Sequence, residues 1–258
     1  LNTCEKMVME GSCFMDDKEL EQTLVLIKPD ALKNSLTGYV LSQLSQFHTG
    51  LRYAAAKIVC VSKLLAEEHY AEHRGEIFFP AIIDYLMGNI HYAEEAWKRR
   101  VIALVYHGPG AIQKIRDIAG QTNPHIAREE CPGCVRALGT VVPIKDASGD
   151  VIGERMDNLI HASATSSDAE REIKLWFKPN DIPPLMRAYP TEVSKDHYYF
   201  KEGKLYTTYE PDSICLIAPG DLAWKSDMDA LRLLSQGSPA PVSLESVVAK
   251  YLINREIE

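Results

Sequence analysis

A histidine set between an asparagine and a helix that carries a glutamate is the first place where this chain could do chemistry. The stretch is N-L-I-H-A-S-A-T-S-S-D-A-E-R-E-I-K-L-W-F, residues 158–177. Ser167 reads as the N-cap of a helix with Glu170 placed for a capping box, and Ala169, Ile173 and Trp176 repeat at helical spacing. Glu172 then falls about one turn into the helix, where its carboxylate can hydrogen-bond one ring nitrogen of His161 and leave the other unprotonated as a nucleophile. The chemistry implied is acceptance of a phosphoryl group on His161. A core histidine satisfied by a nearby acid has the same local pattern, so the choice rests on what other residues the chain brings to it.

Four more stretches bear on that choice. Q-T-L-V-L-I-K-P-D-A (22–31) is a buried-strand run that delivers Lys28 at its carboxyl end, with Pro29 placed to open a helix. E-H-Y-A-E-H-R-G-E-I-F-F (68–79), G-Q-T-N-P (120–124) and P-G-C-V-R (132–136) follow in order. Together with N-x-x-H-x-S at Asn158, His161 and Ser163, the series resembles the nucleoside diphosphate kinase family over residues 21–183. The alternative reading is a nucleotide-binding regulatory or scaffold protein on the same fold with little turnover. The histidine itself argues against it, because a pure binder has no need of a nucleophile.

The resemblance implies a ping-pong transfer of the γ-phosphate of a nucleoside triphosphate to a nucleoside diphosphate through a phosphohistidine. Its substrates would be ATP, GTP, GDP and their deoxy forms, with Mg²⁺ as cofactor, held mainly by the nucleotide phosphates and not by a protein metal site. His161 matches the phosphorylated histidine, Glu172 its orienting acid and Ser163 a hydroxyl beside them. Lys28, counted with the catalytic group, and Asn158 match residues that hold the ribose hydroxyls and help to order the phosphates. Arg116, Thr122 and Arg136 match phosphate contacts, Tyr70 lies near the phosphates, and His73 matches a phosphate-contacting histidine of some members only. Phe78 matches the aromatic on which the base stacks, a contact any base can make. Glu76, Ile77, Met156 and Ala164 depart from the family pattern, which bears on the base pocket and subunit contacts and leaves no obvious partner for Phe78 across the base.

Strands alternating with amphipathic helices, without a steady repeat, predict an α/β (α+β) sandwich with a mostly antiparallel sheet, and the family fold is ferredoxin-like. The expected strands are 23–28, 52–61, 101–107 and 135–142; the expected helices are 38–46, 66–73, 80–87, 111–119 and 168–174. In the helix at 38–46, Val40, Leu41, Leu44 and Phe47 make one apolar stripe expected to pack on the sheet. The domain plan is an N-terminal extension (1–20), a catalytic domain (21–183) and a C-terminal extension (184–258). Two insertions interrupt the catalytic domain: a charged helical turn at about 88–100 and a protruding hairpin at about 140–155, turning at K-D-A-S-G-D. In the extension, residues 197–209 read as a hairpin turning at Glu202 and Gly203, S-I-C-L-I-A as a strand and 243–253 as a capped helix. So much apolar surface should pack on the catalytic domain or on a neighbouring subunit.

The 258 residues are 46% hydrophobic, enough for a full core. Lys plus Arg number 28 against 36 Asp plus Glu, a net charge of −8, so general nucleic-acid binding is not expected. The apolar runs are too short for a membrane span, and the opening residues lack the pattern of a secretory signal. The six cysteines show no paired framework, and Cys131 and Cys134 lack the second C-x-x-C that a zinc site would use. The expectation is a cytoplasmic homo-oligomer with reduced thiols.

Overall fold

The computed structural model describes residues 20–253; the N-terminal extension expected at 1–20 lies almost wholly outside them. Strand β1 (Leu20–Ile27) is central, and its alternate side chains face opposite layers. Leu24 and Leu26 enter one buried cluster, Val25 and Ile27 the other. Lys28 follows as the N-cap residue of α1 (Pro29–Lys33), where Pro29 opens the helix. The helix expected at 38–46 divides into α2 (Thr37–Gln43) and α3 (Gln46–Thr49). That break turns Phe47 out of the stripe, so it is 92% exposed while Val40 and Leu44 are buried.

Strand β2 (Arg52–Val59) leads to α4 (Lys63–His69), capped by Ser62, and α5 (Phe79–Met87) leads to β3 (Val101–Pro109). Helix α6 (Ala111–Ala119) matches the expected bounds, and α7 (Pro124–Glu130) is an unforeseen helix opened by Asn123 and Pro124. Where a strand was expected at 135–142, residues Val135–Leu138 form a 3-10 turn and only then does the chain extend as β4 (Thr140–Lys145). Strand β4 pairs with β5 (Val151–Asp157) in a separate two-stranded ribbon, the expected hairpin. The short β6 (Ile160–Ala162) pairs with β1 and completes an antiparallel sheet of order β2-β3-β1-β6. With α2 and α6 on one face and α4 and α8 (Ser166–Trp176) on the other, this is a ferredoxin-like βαββαβ sandwich. The cap of α8 is Thr165, whose hydroxyl accepts from the Asp168 N–H, in place of the expected Ser167.

The C-terminal extension is ordered. Strands β7 (Thr191–Val193), β8 (Tyr198–Lys201), β9 (Lys204–Tyr206), β10 (Ile214–Ile217) and β11 (Leu222–Trp224) form two small antiparallel sheets, β10-β8-β9 and β11-β7. Glu202 and Gly203 both take positive φ at the β8–β9 turn, as a two-residue hairpin needs. Helices α9 (Lys225–Ser235) and α10 (Leu244–Ala249) follow, the second capped by Ser243 and shorter than expected. The extension has its own buried cluster, and it also packs on the catalytic layer: Trp224 and Ala249 lie in the cluster of α4 and α8, and the Trp224 indole donates to the Phe177 carbonyl at 2.7 Å. Residues 88–98, expected as a charged helical turn, fold as turns ending in a 3-10 helix at Ala96–Lys98. No described helix is long and apolar enough to cross a membrane.

Between β5 and β6 the chain makes its most constrained crossing. Leu159 has φ of 69°, a left-handed conformation costly for a bulky side chain. The K-P-D segment clamps it from both ends: the Lys28 N–H donates to the Leu159 carbonyl at 2.9 Å, and Asp30 Oδ2 accepts from the Leu159 N–H at 2.9 Å. Replacing Asp30 by alanine strands that buried N–H, and urea unfolding should show a loss of about 1–3 kcal/mol. An unchanged midpoint would mean that strand pairing alone holds the crossing.

Candidate active site

His161 stands on β6 and Glu172 on the facing side of α8. Their contact is His161 Nε2 to Glu172 Oε2 at 2.8 Å, and the Ser163 hydroxyl donates to the same oxygen at 2.7 Å. Ser163, fully buried, also accepts from the Leu24 N–H at 3.1 Å. It therefore sits behind the carboxylate and does not line the cavity, contrary to its expected place among substrate contacts. Burial opposes ionisation of Glu172, but the charge and hydrogen bond of His161, with help from His69 and Ser163, hold its pKa down at about 2. An ionised carboxylate can only accept, so His161 Nε2 carries a proton, and in the neutral ring Nδ1 keeps the free lone pair.

A cavity of about 360 Å³ opens in front of this pair, and Lys28, Tyr70, His73, Phe78, Arg116, Thr122, Arg136 and Asn158 all line it. The buried Lys28 ammonium donates to Asn158 Oδ1 at 2.7 Å and lies 4.9 Å from the centre of the Tyr85 ring. The Asn158 amide donates in turn to the Thr122 carbonyl at 2.8 Å, linking the G-Q-T-N-P loop to the clamped crossing. Burial lowers the Lys28 pKa to about 8, opposed by Asp30 and reinforced by Arg136. Burial and the neighbouring Arg116 lower Arg136 to about 10, so Arg136 stays charged near neutrality. The Arg136 guanidinium is held by the Gly120 carbonyl at 2.9 Å and the Ile160 carbonyl at 3.3 Å. Gly120 must be glycine: its φ is +80°, and a Cβ would stand 2.1 Å from Cys134 Sγ.

Two residues that sequence reasoning missed belong to the same cavity. His69 lies in the quoted E-H-Y-A-E-H stretch, yet nothing separates it there from an ordinary helical histidine. It is 1% exposed, its ring meets His161 edge-on at 4.5 Å, and its Nδ1 accepts from the Trp176 indole at 3.2 Å. Burial first, then the His161 charge, pushes its pKa well below the usual histidine value, so it is neutral with its proton on Nε2. Met156 is the second. Glu154 and Met156 alternate along β5 and both line the cavity, which puts an apolar side chain of the β4–β5 ribbon in the pocket with Phe78 and Ile82. Burial also raises the Tyr70 pKa, keeping it a phenol able to donate.

Comparison with known proteins agrees with this architecture. The nucleoside diphosphate kinase family profile matches residues 21–182. The chain is 38% identical over 170 residues to the nucleoside diphosphate kinase of Pyrococcus furiosus, covering 66% of this chain and 91% of that protein. It is 34% identical over 202 residues to that of Thermococcus kodakarensis, covering 78% and 99%. Among solved structures, the Aquifex aeolicus nucleoside diphosphate kinase superposes with a TM-score of 0.50 at 27% identity, covering 64% of this chain and 99% of that one. A transition-state mimic of the Borrelia burgdorferi enzyme with bound vanadate and ADP superposes with a TM-score of 0.50 at 30% identity, covering 66% and 95%. The fold is that of a nucleotide-binding phosphotransferase. The chain belongs to the nucleoside diphosphate kinase family and has that enzyme activity.

The low Glu172 pKa also makes a prediction about stability. The folded value of about 2 is below the ordinary 4.5, so the ionised carboxylate stabilises the fold fully above pH 4.5 and progressively less as pH falls towards 2. The stake is on the order of 3 kcal/mol. Urea unfolding across that range should show the wild type losing this much more than Glu172→Gln; parallel curves would show that the carboxylate has no such role.

Proposed function

We propose that this enzyme works by ping-pong transfer through a phosphohistidine at His161. The observation that carries the reading is the Glu172–His161 hydrogen bond, which fixes the proton on Nε2 and leaves Nδ1 as an unprotonated nucleophile at the cavity that also holds Lys28, Arg116 and Arg136. In the first half-reaction Nδ1 attacks the γ-phosphorus of a nucleoside triphosphate. A nitrogen–phosphorus bond forms, the bond to the bridging oxygen breaks, and the diphosphate leaves with that electron pair. Glu172 stabilises the ring as it becomes cationic, and a second nucleoside diphosphate reverses the step.

Within this reading, Arg116, Arg136 and Thr122 meet the phosphate charge, Tyr70 and His73 donate beside them, and Lys28 and Asn158 hold the ribose hydroxyls. Phe78 stacks on the base, with Met156 offering apolar surface in the same pocket. Stacking tolerates any base, which suits ATP, GTP, GDP and deoxy substrates. Among the described residues, the one group of three with metal-binding geometry is His69, His161 and Glu172, with ligand atoms within 4.8 Å of one another. Two ring nitrogens and a carboxylate already bonded to His161 and Ser163 suit Mg²⁺ poorly, since it prefers an oxygen octahedron. We therefore assign Mg²⁺ to the nucleotide phosphates, where it would neutralise and bridge them. Residues 21–183 form the catalytic unit on this reading, with insertions at about 88–100 and 140–155, and 184–258 are an appended extension. Edge strand β2 exposes Tyr53 and Ile58, which supports a homo-oligomer.

Incubation with γ-labelled ATP and Mg²⁺ should give an acid-labile, base-stable phosphoenzyme that GDP discharges. His161→Ala should abolish it while nucleotide affinity stays within about tenfold, because binding rests on other residues. Turnover retained in that variant would end the mechanism. Affinity should also fall as pH rises through about 8, where Lys28 loses its proton. Titration calorimetry on Lys28→Ala should show that this alkaline limb has gone; a limb of the same size would assign it to another group.

A further inference from the structure

The C-terminal extension makes a polar contact with the end of α4. Glu68 stands in the last turn of α4 and is 5% exposed. A carboxylate there is doubly unfavourable, because it is buried and lies at the negative end of the helix dipole. It is kept by donors. Arg74 donates to Oε1; Ser243, the cap of α10, donates to Oε2 at 3.2 Å, and Ser246 donates to the same oxygen. Two of these three side chains come from the extension.

The residues after Glu68 are His69, edge-on to His161, and Tyr70, in the cavity wall. Arg171 of α8 donates to the Glu68 and His69 carbonyls at 3.2 and 3.4 Å, so the end of α4 is also tied to the helix that carries Glu172. Helix α10 is itself fastened. Lys250 and Asp227 form an ion pair at 2.7 Å, each 2% exposed at the side chain, which joins it to α9, and Ala249 enters the core shared by α4 and α8.

We propose that the extension is an internal positioning element for the active site: Ser243 and Ser246 hold Glu68, and through it set His69 against His161 and Tyr70 in the cavity. This rests on the reading of His161 as the phosphate acceptor. Ser246 is the positioning residue to test, since Ser243 also caps α10 and its loss would unravel that helix.

In the full-length protein, Ser246→Ala should slow phosphoenzyme formation at saturating ATP by about tenfold, near the low end of what one charge-assisted hydrogen bond is worth. Nucleotide affinity should change little, the thermal midpoint should fall by only a few degrees so that the protein stays folded at the assay temperature, and Ser246→Thr should restore the rate. Glu68→Gln should slow the same step, and the double variant should be no slower than the worse single one, because both act through one contact. An unchanged rate in Ser246→Ala, or a loss that follows only the fraction unfolded, would overturn the proposal. So would additive effects in the double variant. If the wild type forms no phosphoenzyme, the acceptor reading fails by itself, and the positioning claim is then read from the rate of His161 modification by diethyl pyrocarbonate, relative to exposed His125. That ratio should change in Ser246→Ala and return in Ser246→Thr; an equal ratio in all three overturns the positioning claim separately.

Discussion

Everything at the site hangs from a strained residue held by two hydrogen bonds. Leu159 adopts its left-handed conformation because Lys28 and Asp30 grip its carbonyl and N–H from the end of the central strand. Conformations of this kind cost on the order of 1–3 kcal/mol and persist only where surrounding contacts over-determine them. The strain places two side chains at once: Asn158, just before it, turns towards the Lys28 ammonium and the Thr122 loop, and His161, two residues later, emerges on β6 facing Glu172. A relaxed extended backbone at Leu159 would send the following side chains to the wrong faces of the sheet.

The catalytic half was legible because its signals are local or come as fixed residue types. A run of apolar residues ending in K-P-D announces β1 and its helix, and the order of the motif stretches announces the pocket. What could not be read depends on partners remote in sequence. The strand expected at 135–142 fails because Val135 and Arg136 are held by the core and by the Gly120 and Ile160 carbonyls, which favour a tight turn over extension. Phe47 satisfies the helical stripe, yet the chain breaks near Leu44 before it. Ser167 and Thr165 are equal capping candidates by type, and only the geometry of the approach from β6 selects Thr165. His69 carries no signal at all without Trp176, more than a hundred residues away.

The turns at 88–98 and the β4–β5 ribbon also meet. His91 of those turns bonds Asp157 of β5 at 2.9 Å, and Arg155 grips both oxygens of the same carboxylate at 2.6 and 3.0 Å. Burial works against the Asp157 charge, but these donors outweigh it and hold its pKa below the ordinary value. Since Asp157 adjoins Asn158, segments far apart in sequence converge on the edge of the pocket. Glu154 and Met156 reach the cavity from the same strand because β5 alternates its faces, with Arg155 and Asp157 turned to the clasp.

The shared core of α4, α8, Trp224 and Ala249 has a consequence for how the chain acquires its fold. The hydrogen bond from Ser243 to Glu68 spans 175 residues, and Ala249 fills space among side chains of helices made much earlier. During synthesis the sheet and its strand pairs can form while the extension is still unmade, but one wall of that early assembly stays open to water. Closing it waits on contacts of very long sequence separation, which form slowly because the intervening chain must first be brought into place. A chain that ends short of Trp224 and Ala249 leaves that apolar flank uncovered, the condition under which chains associate with one another or are held by chaperones.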